Sequence, residues 1–362
     1  MNNSNGQFEE FMRKLSKNPY NVDTIKNSSL SKKYEGISVA ALSHFETNSF
    51  NLKNIKNWSK QDDLGVPIQI SRLKAFNAFY IQNFIRFLRN TYPKFWLTQF
   101  FQRQLLRDDL QIVIEKKYDD ILKNNPVSKV PFTRDVYYKK GMSFNSRYLR
   151  YVYLAGQIRK FNLLGNNLNE IHVDIGNFYG GLQVLLKQYY PKTTFISIEL
   201  PHQLFRSYLF HRSMFPQSKS YIGVNGFENY LENKTENTGA FIYLLPSDYH
   251  IIGDKIVPDL ITNYASFGEM SRKNFEEYLN SITTLKAQRF HFVNRFISSP
   301  ILDPTFLNDI DIRDYFIENT TIDFFDIFPI HHHSITRRLF LGKRGYRNNS
   351  SPSFELILTR ID

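Results

Sequence analysis

Apolar residues in the first half of the chain recur at helical spacing. Phe76, Phe79, Tyr80, Phe84 and Leu88 lie three or four positions apart, the stripe of one helix face. Pro93 breaks that helix, and Leu97 to Leu122 offers further helical material with Asp108, Asp109, Lys116 and Lys117 on its polar positions. A turn-rich stretch at 124–141 follows, then a helix from about Asn145 to Leu163. The first 60 or so residues are rich in Asn, Ser and Lys with little periodicity, and are expected to be a loosely ordered lead-in. Residues 1–165 therefore read as a mostly helical region.

Beyond Gly165 the period changes. Short apolar runs at Glu170 to Ile175, Thr194 to Leu200, Ser220 to Val224, Ala240 to Leu245, Asp259 to Asn263 and Arg289 to Asn294 are expected strands. Helical segments at Gly181 to Tyr190, His202 to Met214 and Ser271 to Leu285 alternate with them. Strands and helices in alternation predict an α/β domain over 166–362 with a doubly wound parallel sheet. The ending differs: Ser334 to Lys343 and Ser353 to Arg360 are strand-like runs with no room for a helix between them. They are expected to close the sheet as a terminal antiparallel hairpin. A Rossmann-like sheet with one reversed strand is the layout of the class I methyltransferase fold.

Composition narrows the chemistry. The 362 residues include no cysteine, which removes thiol catalysis, disulfides and Cys-ligated metals. Hydrophobic residues make up 42% and charged residues 22%, so a globular protein is expected rather than a disordered one. The formal net charge of +12 favours anionic partners, but the lysines are scattered and no block of five basic residues occurs, so nucleic acid is a weak candidate. The opening MNNSNGQFEEF lacks the apolar core of a signal peptide. The aromatic run from Phe76 to Phe101 is interrupted by Arg86, Arg89 and Lys94, too polar for a membrane span. A cytoplasmic protein with at most peripheral membrane contact is expected.

The segment with most to say about function is Ile171-His172-Val173-Asp174-Ile175-Gly176-Asn177-Phe178-Tyr179-Gly180-Gly181. A strand ends, a glycine-containing loop follows and a helix begins, the place where open α/β sheets bind ligands. A dinucleotide loop needs a second glycine where this chain has Phe178, so nicotinamide cofactors are disfavoured. S-adenosylmethionine has no phosphate to cradle and suits an acidic strand end followed by Gly176 and Gly180. Twenty-three residues past Gly176, Glu199 ends the next strand, where a carboxylate can accept both ribose hydroxyls of an adenosine. The competing interpretation is a structural turn beside an exposed Glu.

Three blocks between Asn145 and Arg295 resemble the sugar O-methyltransferases encoded among bacterial surface-polysaccharide genes. They are DIGNFYGGL from Asp174, IELP from Ile198 and DLITNYASFGEM from Asp259, with VNR at Val293 to Arg295 as a lesser match. Asn177 and Phe178 replace two glycines of that family's first block. The resemblance implies a class I enzyme that uses S-adenosylmethionine, with Asp174, Gly176, Tyr179, Gly180, Glu199, Leu200 and Asn263 at the cofactor and a sugar or glycan precursor as acceptor.

Methyl transfer to a hydroxyl needs a proton acceptor, worth about 10²–10⁴-fold. Glu269, in the loop leaving the Asp259 strand, is the candidate base; helix capping is its alternative role. Ser266 and Arg295 are candidate acceptor contacts, although Ser266 also suits a turn. His332 and His333 of the His331–His333 run are further candidates for a base, or else part of a solvated loop. A divalent metal is possible in such enzymes but no distinctive ligand cluster indicates one. A nucleic-acid methyltransferase and a non-catalytic module with this fold are the remaining alternatives.

Overall fold

The computed structural model describes residues 106–123, 137–139, 142–144, 146–165, 167, 169–234, 238–298, 310–330 and 352–361. The aromatic run from Phe76 to Phe101, the histidines at 331–333 and the strand expected at Ser334 to Lys343 lie outside them. The chief elements are α1 (Ser146–Lys160), β1 (Ile171–Ile175), α2 (Gly181–Tyr189), β2 (Thr194–Ile198), α3 (Pro201–Met214), β3 (Ser220–Ile222) and α4 (Gly223–Glu232). There follow β4 (Phe241–Leu244), β5 (Leu260–Tyr264), α5 (Arg272–Thr284), β6 (Arg289–Arg295), β7 (Thr320–Ile327) and β8 (Ser353–Arg360).

One sheet of eight strands takes the order β7-β8-β6-β5-β1-β2-β4-β3. Its pairings from β6 to β3 are parallel, and β8 runs antiparallel to both its neighbours. A parallel sheet with one reversed strand set one place in from the edge is the class I methyltransferase layout. The unit β3–α4 adds a strand at the far edge. Ser353 to Arg360 is the reversed strand the sequence anticipates, and its outer partner is Thr320–Ile327. That partner escapes a periodicity search because Ile322, Phe325 and Ile327 are exposed and Asp323 and Asp326 interrupt them. Gly223, at φ 68°, ends β3 early and opens α4, where the sequence suggests a longer strand.

The two faces of the sheet differ. Toward α4 and α5 it presents Ile171, Val173, Ile175, Ile196, Ile198, Phe290, Phe292, Phe354 and Leu356, all buried in an apolar core. Each such side chain contributes about 1.5–3 kcal/mol on burial. Toward α1, α2 and α3 the alternate positions carry His172, Asp174, Ser197, Thr262, His291 and Glu355, also buried. A strand buried on both faces normally reads as a continuous apolar run. The polar ladder therefore needs partners, and α1 supplies them. Tyr153 and Gln157 reach from α1 to Glu355, while Leu149, Val152 and Ile158 join the same core as Leu182, Leu185 and Leu186 of α2. Hydrophobic packing is thus continuous across position 165. Among the described residues no helix is long and apolar enough to cross a membrane.

Candidate functional site

The carboxyl ends of β1, β2, β5 and β6 lie side by side at one edge, where Arg147 from the start of α1 lies over Phe178. The loop leaving β1 is the turn from Gly176 to Gly181. Gly176 has φ 78° and donates its N–H to Ile198 O at 2.8 Å, which binds the turn to the end of β2. A Cβ at Gly176 would run into Ser266. Gly180, at φ 75°, is backed by the His211 ring and also has no room for a side chain. Burial drops the His211 pKa to about 3, so the ring is neutral: Nε2–H donates to Gly180 O at 3.2 Å and Nδ1 accepts from Tyr243 at 2.9 Å. The glycines thus answer to the protein's own packing.

Phe178 stands between them at φ 57°, a conformation that L-residues avoid at a cost of about 1–2 kcal/mol. The turn is held there by three contacts. The Phe178 N–H donates to Glu199 Oε1 at 3.1 Å, its carbonyl accepts from Ser207 at 3.0 Å, and Arg147 lies 4.0 Å over the ring. Asn177, buried, donates to Ser197 at 2.7 Å. A backbone N–H that would face a pyrophosphate is instead given to a carboxylate.

Glu199 receives a second backbone bond, from Leu200 N–H at 2.5 Å. An ionised carboxylate has about four lone-pair sites, so about two remain for a ligand. Burial pushes Glu199 up to about 7 against those two bonds, with Asp174 and Glu269 adding to the rise. Asp174 is also raised to about 7 by burial, opposed by its 2.8 Å bond from Thr262 and by Arg150. Thr262 accepts in turn from His172 Nε2 at 2.8 Å, and His172 is kept neutral by burial, its pKa dropped to about 3. Strongly shifted acids side by side at the carboxyl edge of a sheet make this a candidate functional site.

Across the sheet the polar ladder continues. Tyr264 bonds to His291 Nδ1 at 2.9 Å, and His291 Nε2 lies 2.8 Å from Glu355. Glu355 also accepts from Tyr153 at 2.8 Å and Gln157 at 3.1 Å. Asn263 is wholly buried, and both ends of its amide are engaged: it donates to Ile175 O at 2.8 Å and accepts from Phe267 N–H and Asn294 at 3.1 and 3.0 Å. That ties the ends of β5, β1 and β6 together and gives Asn263 a scaffolding position.

Charged side chains gather at the same edge. Arg147 and Arg150 descend from α1, Arg295 ends β6, and Glu269 closes the short helical turn Phe267–Glu269. Glu269 keeps contact with solvent, yet the surrounding protein raises its pKa, with Arg295 and Arg150 opposing. Burial lowers Arg150, with Tyr151 opposing. Among the described residues none of these four side chains forms an ion pair or hydrogen bond with another.

The structure therefore brings Asp174, Gly176, Gly180, Glu199, Ser266, Glu269 and Arg295 to one edge. Leu200 is the N-cap of α3 there: its carbonyl accepts from the Gln203 and Leu204 N–H at 2.9 Å, and its own N–H goes to Glu199. Tyr179 is buried between Tyr151 and Phe210, with ring centroids 5.7 and 5.5 Å away, so its ring serves packing. Ser266 donates to Ile175 O at 3.2 Å and packs on Gly176, the turn role that its position also allows. His332 and His333 lie outside the described residues. Among the described residues no group of His, Asp and Glu is set to hold a metal. Arg147, Arg150, Tyr264, His291 and Glu355 were not singled out by sequence. The available signal was alternation of polar residues within strands too buried to need it.

No family model and no curated protein matches the chain. Solved structures with a distant likeness include several methyltransferases. Magnesium protoporphyrin IX methyltransferase from Synechocystis PCC 6803, solved with bound SAM, is 10% identical over 59% of this chain and 80% of its own, with TM-score 0.37. A protein described as a sarcosine dimethylglycine methyltransferase from Galdieria sulphuraria is 11% identical over 63% and 92%, with TM-score 0.40. Geranyl diphosphate C-methyltransferase from Streptomyces coelicolor A3(2), in complex with Mg2+, geranyl diphosphate and S-adenosyl-L-homocysteine, is 12% identical over 59% and 82%, with TM-score 0.36.

Proposed function

We propose that this chain is an S-adenosylmethionine-dependent O-methyltransferase acting in the cytoplasm on a hydroxyl of a sugar or glycan precursor. The observation that carries the proposal is Glu199, held by the Phe178 N–H at 3.1 Å beside the glycine turn, with lone pairs to spare at the tip of the second central strand. Those lone pairs suit the paired hydroxyls of a ribose. The charges at this edge suit a zwitterion bearing a sulfonium: Asp174 can accept from an ammonium, and Arg150, within electrostatic reach of Asp174, can hold a carboxylate. When bound, S-adenosylmethionine supplies a methyl group on a positively charged sulfur.

The protein's own part is orientation and proton removal. Glu269, with raised pKa and a carboxylate without a hydrogen-bond partner among the described residues, is the group that takes the proton of the acceptor hydroxyl. Asn263 and Ser266 keep its loop against Ile175 through the bonds to that carbonyl. The sugar as acceptor rests on the resemblance of the DIGNFYGGL, IELP and DLITNYASFGEM blocks.

The test is transfer of labelled methyl from S-adenosylmethionine to a panel of sugars, nucleotide sugars and lipid-linked precursors by the full chain. Label entering a sugar hydroxyl is expected, with turnover lost and cofactor binding kept in Glu269→Gln. Label entering nucleic acid only, or none entering any acceptor while cofactor binds, would overturn it.

A further inference from the structure

Three guanidinium groups and three acids meet at this edge, and no ion pair joins any of them to another among the described residues. Arg147 and Arg150 lie one turn apart on α1, and Arg295 stands at the end of β6. Of the facing acids, Asp174 is bonded to Thr262, and Glu199 accepts from the amides of Phe178 and Leu200. Glu269, exposed, is within electrostatic reach of Arg150 and Arg295 and paired with neither. Arg147 is stacked on Phe178.

Unmet hydrogen-bonding groups gather on the Arg295 side. Arg295 Nη1 is buried with no partner, as are the hydroxyls of Ser298 and Tyr315. Ser298 and Tyr315 are wholly buried side chains. Both flank the Gly268 turn next to Glu269, and a Cβ on Gly268 would meet Ser298. The two hydroxyls and the guanidinium Nη1 can all donate, and such a set of donors fits oxygen atoms that carry negative charge. A neutral polyol offers donors and acceptors alike and has no need of it.

We infer that the methyl acceptor carries an acidic group, a carboxylate or a phosphate, that docks on Arg295 while Glu269 faces the hydroxyl to be methylated. This rests on the methyl-transfer proposal above, in which Arg150 is taken by the cofactor's carboxylate. Arg295 is then the guanidinium left for the acceptor, and its planar fork matches either acid in two-pronged fashion.

The experiment is calorimetric titration of the full chain, saturated with S-adenosylhomocysteine, with glucose, glucuronate and glucose 6-phosphate at low and high salt. At least one acid should bind about tenfold or more tightly than glucose, and added salt should shrink the difference. Glucuronate ahead of glucose 6-phosphate identifies a carboxylate, and the reverse order a phosphate. Arg295→Gln should erase the preference with affinity for S-adenosylhomocysteine unchanged, and Arg295→Lys should restore part of it. Equal binding of glucose and both acids, no binding of either acid, or a preference that survives Arg295→Gln overturns the inference. Failure of S-adenosylhomocysteine itself to bind overturns the methyl-transfer proposal and this inference with it.

Discussion

The Phe178 N–H donates to Glu199 Oε1 across 3.1 Å, joining the turn after the first central strand to the tip of the second. This bond accounts for a phenylalanine at positive φ where a dinucleotide loop would have glycine. Glu199→Gln replaces one carboxylate oxygen with a donor and removes the charge. Loss of a charge-assisted hydrogen bond is worth about 1.5–3 kcal/mol, so affinity for S-adenosylhomocysteine should fall about 10- to 100-fold by calorimetry. The fold should persist, as judged by circular dichroism.

Protonation of Asp174 and Glu199 makes stability depend on pH. Asp174 and Glu199 have folded pKa values near 7, against ordinary values of 3.8 and 4.5. Between about pH 4 and pH 7 the folded chain therefore binds more protons than the unfolded one, and these two groups make stability fall as pH rises through that window. The sign is isolated by comparing Tm of wild type with Glu199→Gln. The difference should grow in favour of the variant from pH 5 to pH 7.5, and the opposite trend would refute the assignment.

Gly180 has no space on either count, at φ 75° and against the His211 ring. Gly180→Ala should lower Tm clearly, because backbone strain and displacement of His211 act together. His211→Ala should relieve only the steric part, so the double variant should be less unstable than the two single effects summed.

Glu355 lies beside His291 at 2.8 Å and receives bonds from Tyr153 and Gln157, all of it buried. Removing one member of such a group leaves the others unmet, a loss of about 3–5 kcal/mol for a buried pair. Glu355→Ala should show a loss of that order in urea unfolding. Tyr153→Phe, which removes one of the three bonds, should cost about 0.5–1.5 kcal/mol.

Much of the fold was legible because its strands and helices obey simple periods. The expected strand Glu170 to Ile175 is Ile171–Ile175, and the expected helix Ser271 to Leu285 is Arg272–Thr284, with Ser271 capping it through Asn274 N–H. Glu199 was legible because an acid at a strand end stands out against apolar neighbours. Thr320–Ile327 was hidden because an edge strand exposed to solvent has no apolar alternation to show. Tyr264, His291 and Glu355 were hidden for another reason: their pairing is set by strand order, and β8 reaches β6 from 58 residues further along the chain, with Phe354 opposite Asn294 and Glu355 opposite Val293. Arg150 belongs to the same class, since nothing local to α1 says that its end overhangs the sheet.

Titration of the full chain with S-adenosylmethionine tests the central claim most directly. One-to-one binding in the micromolar range, abolished or greatly weakened by Glu199→Gln and not reproduced by NAD, is the predicted result. No heat at millimolar S-adenosylmethionine, or equal binding by wild type and the variant, would contradict it.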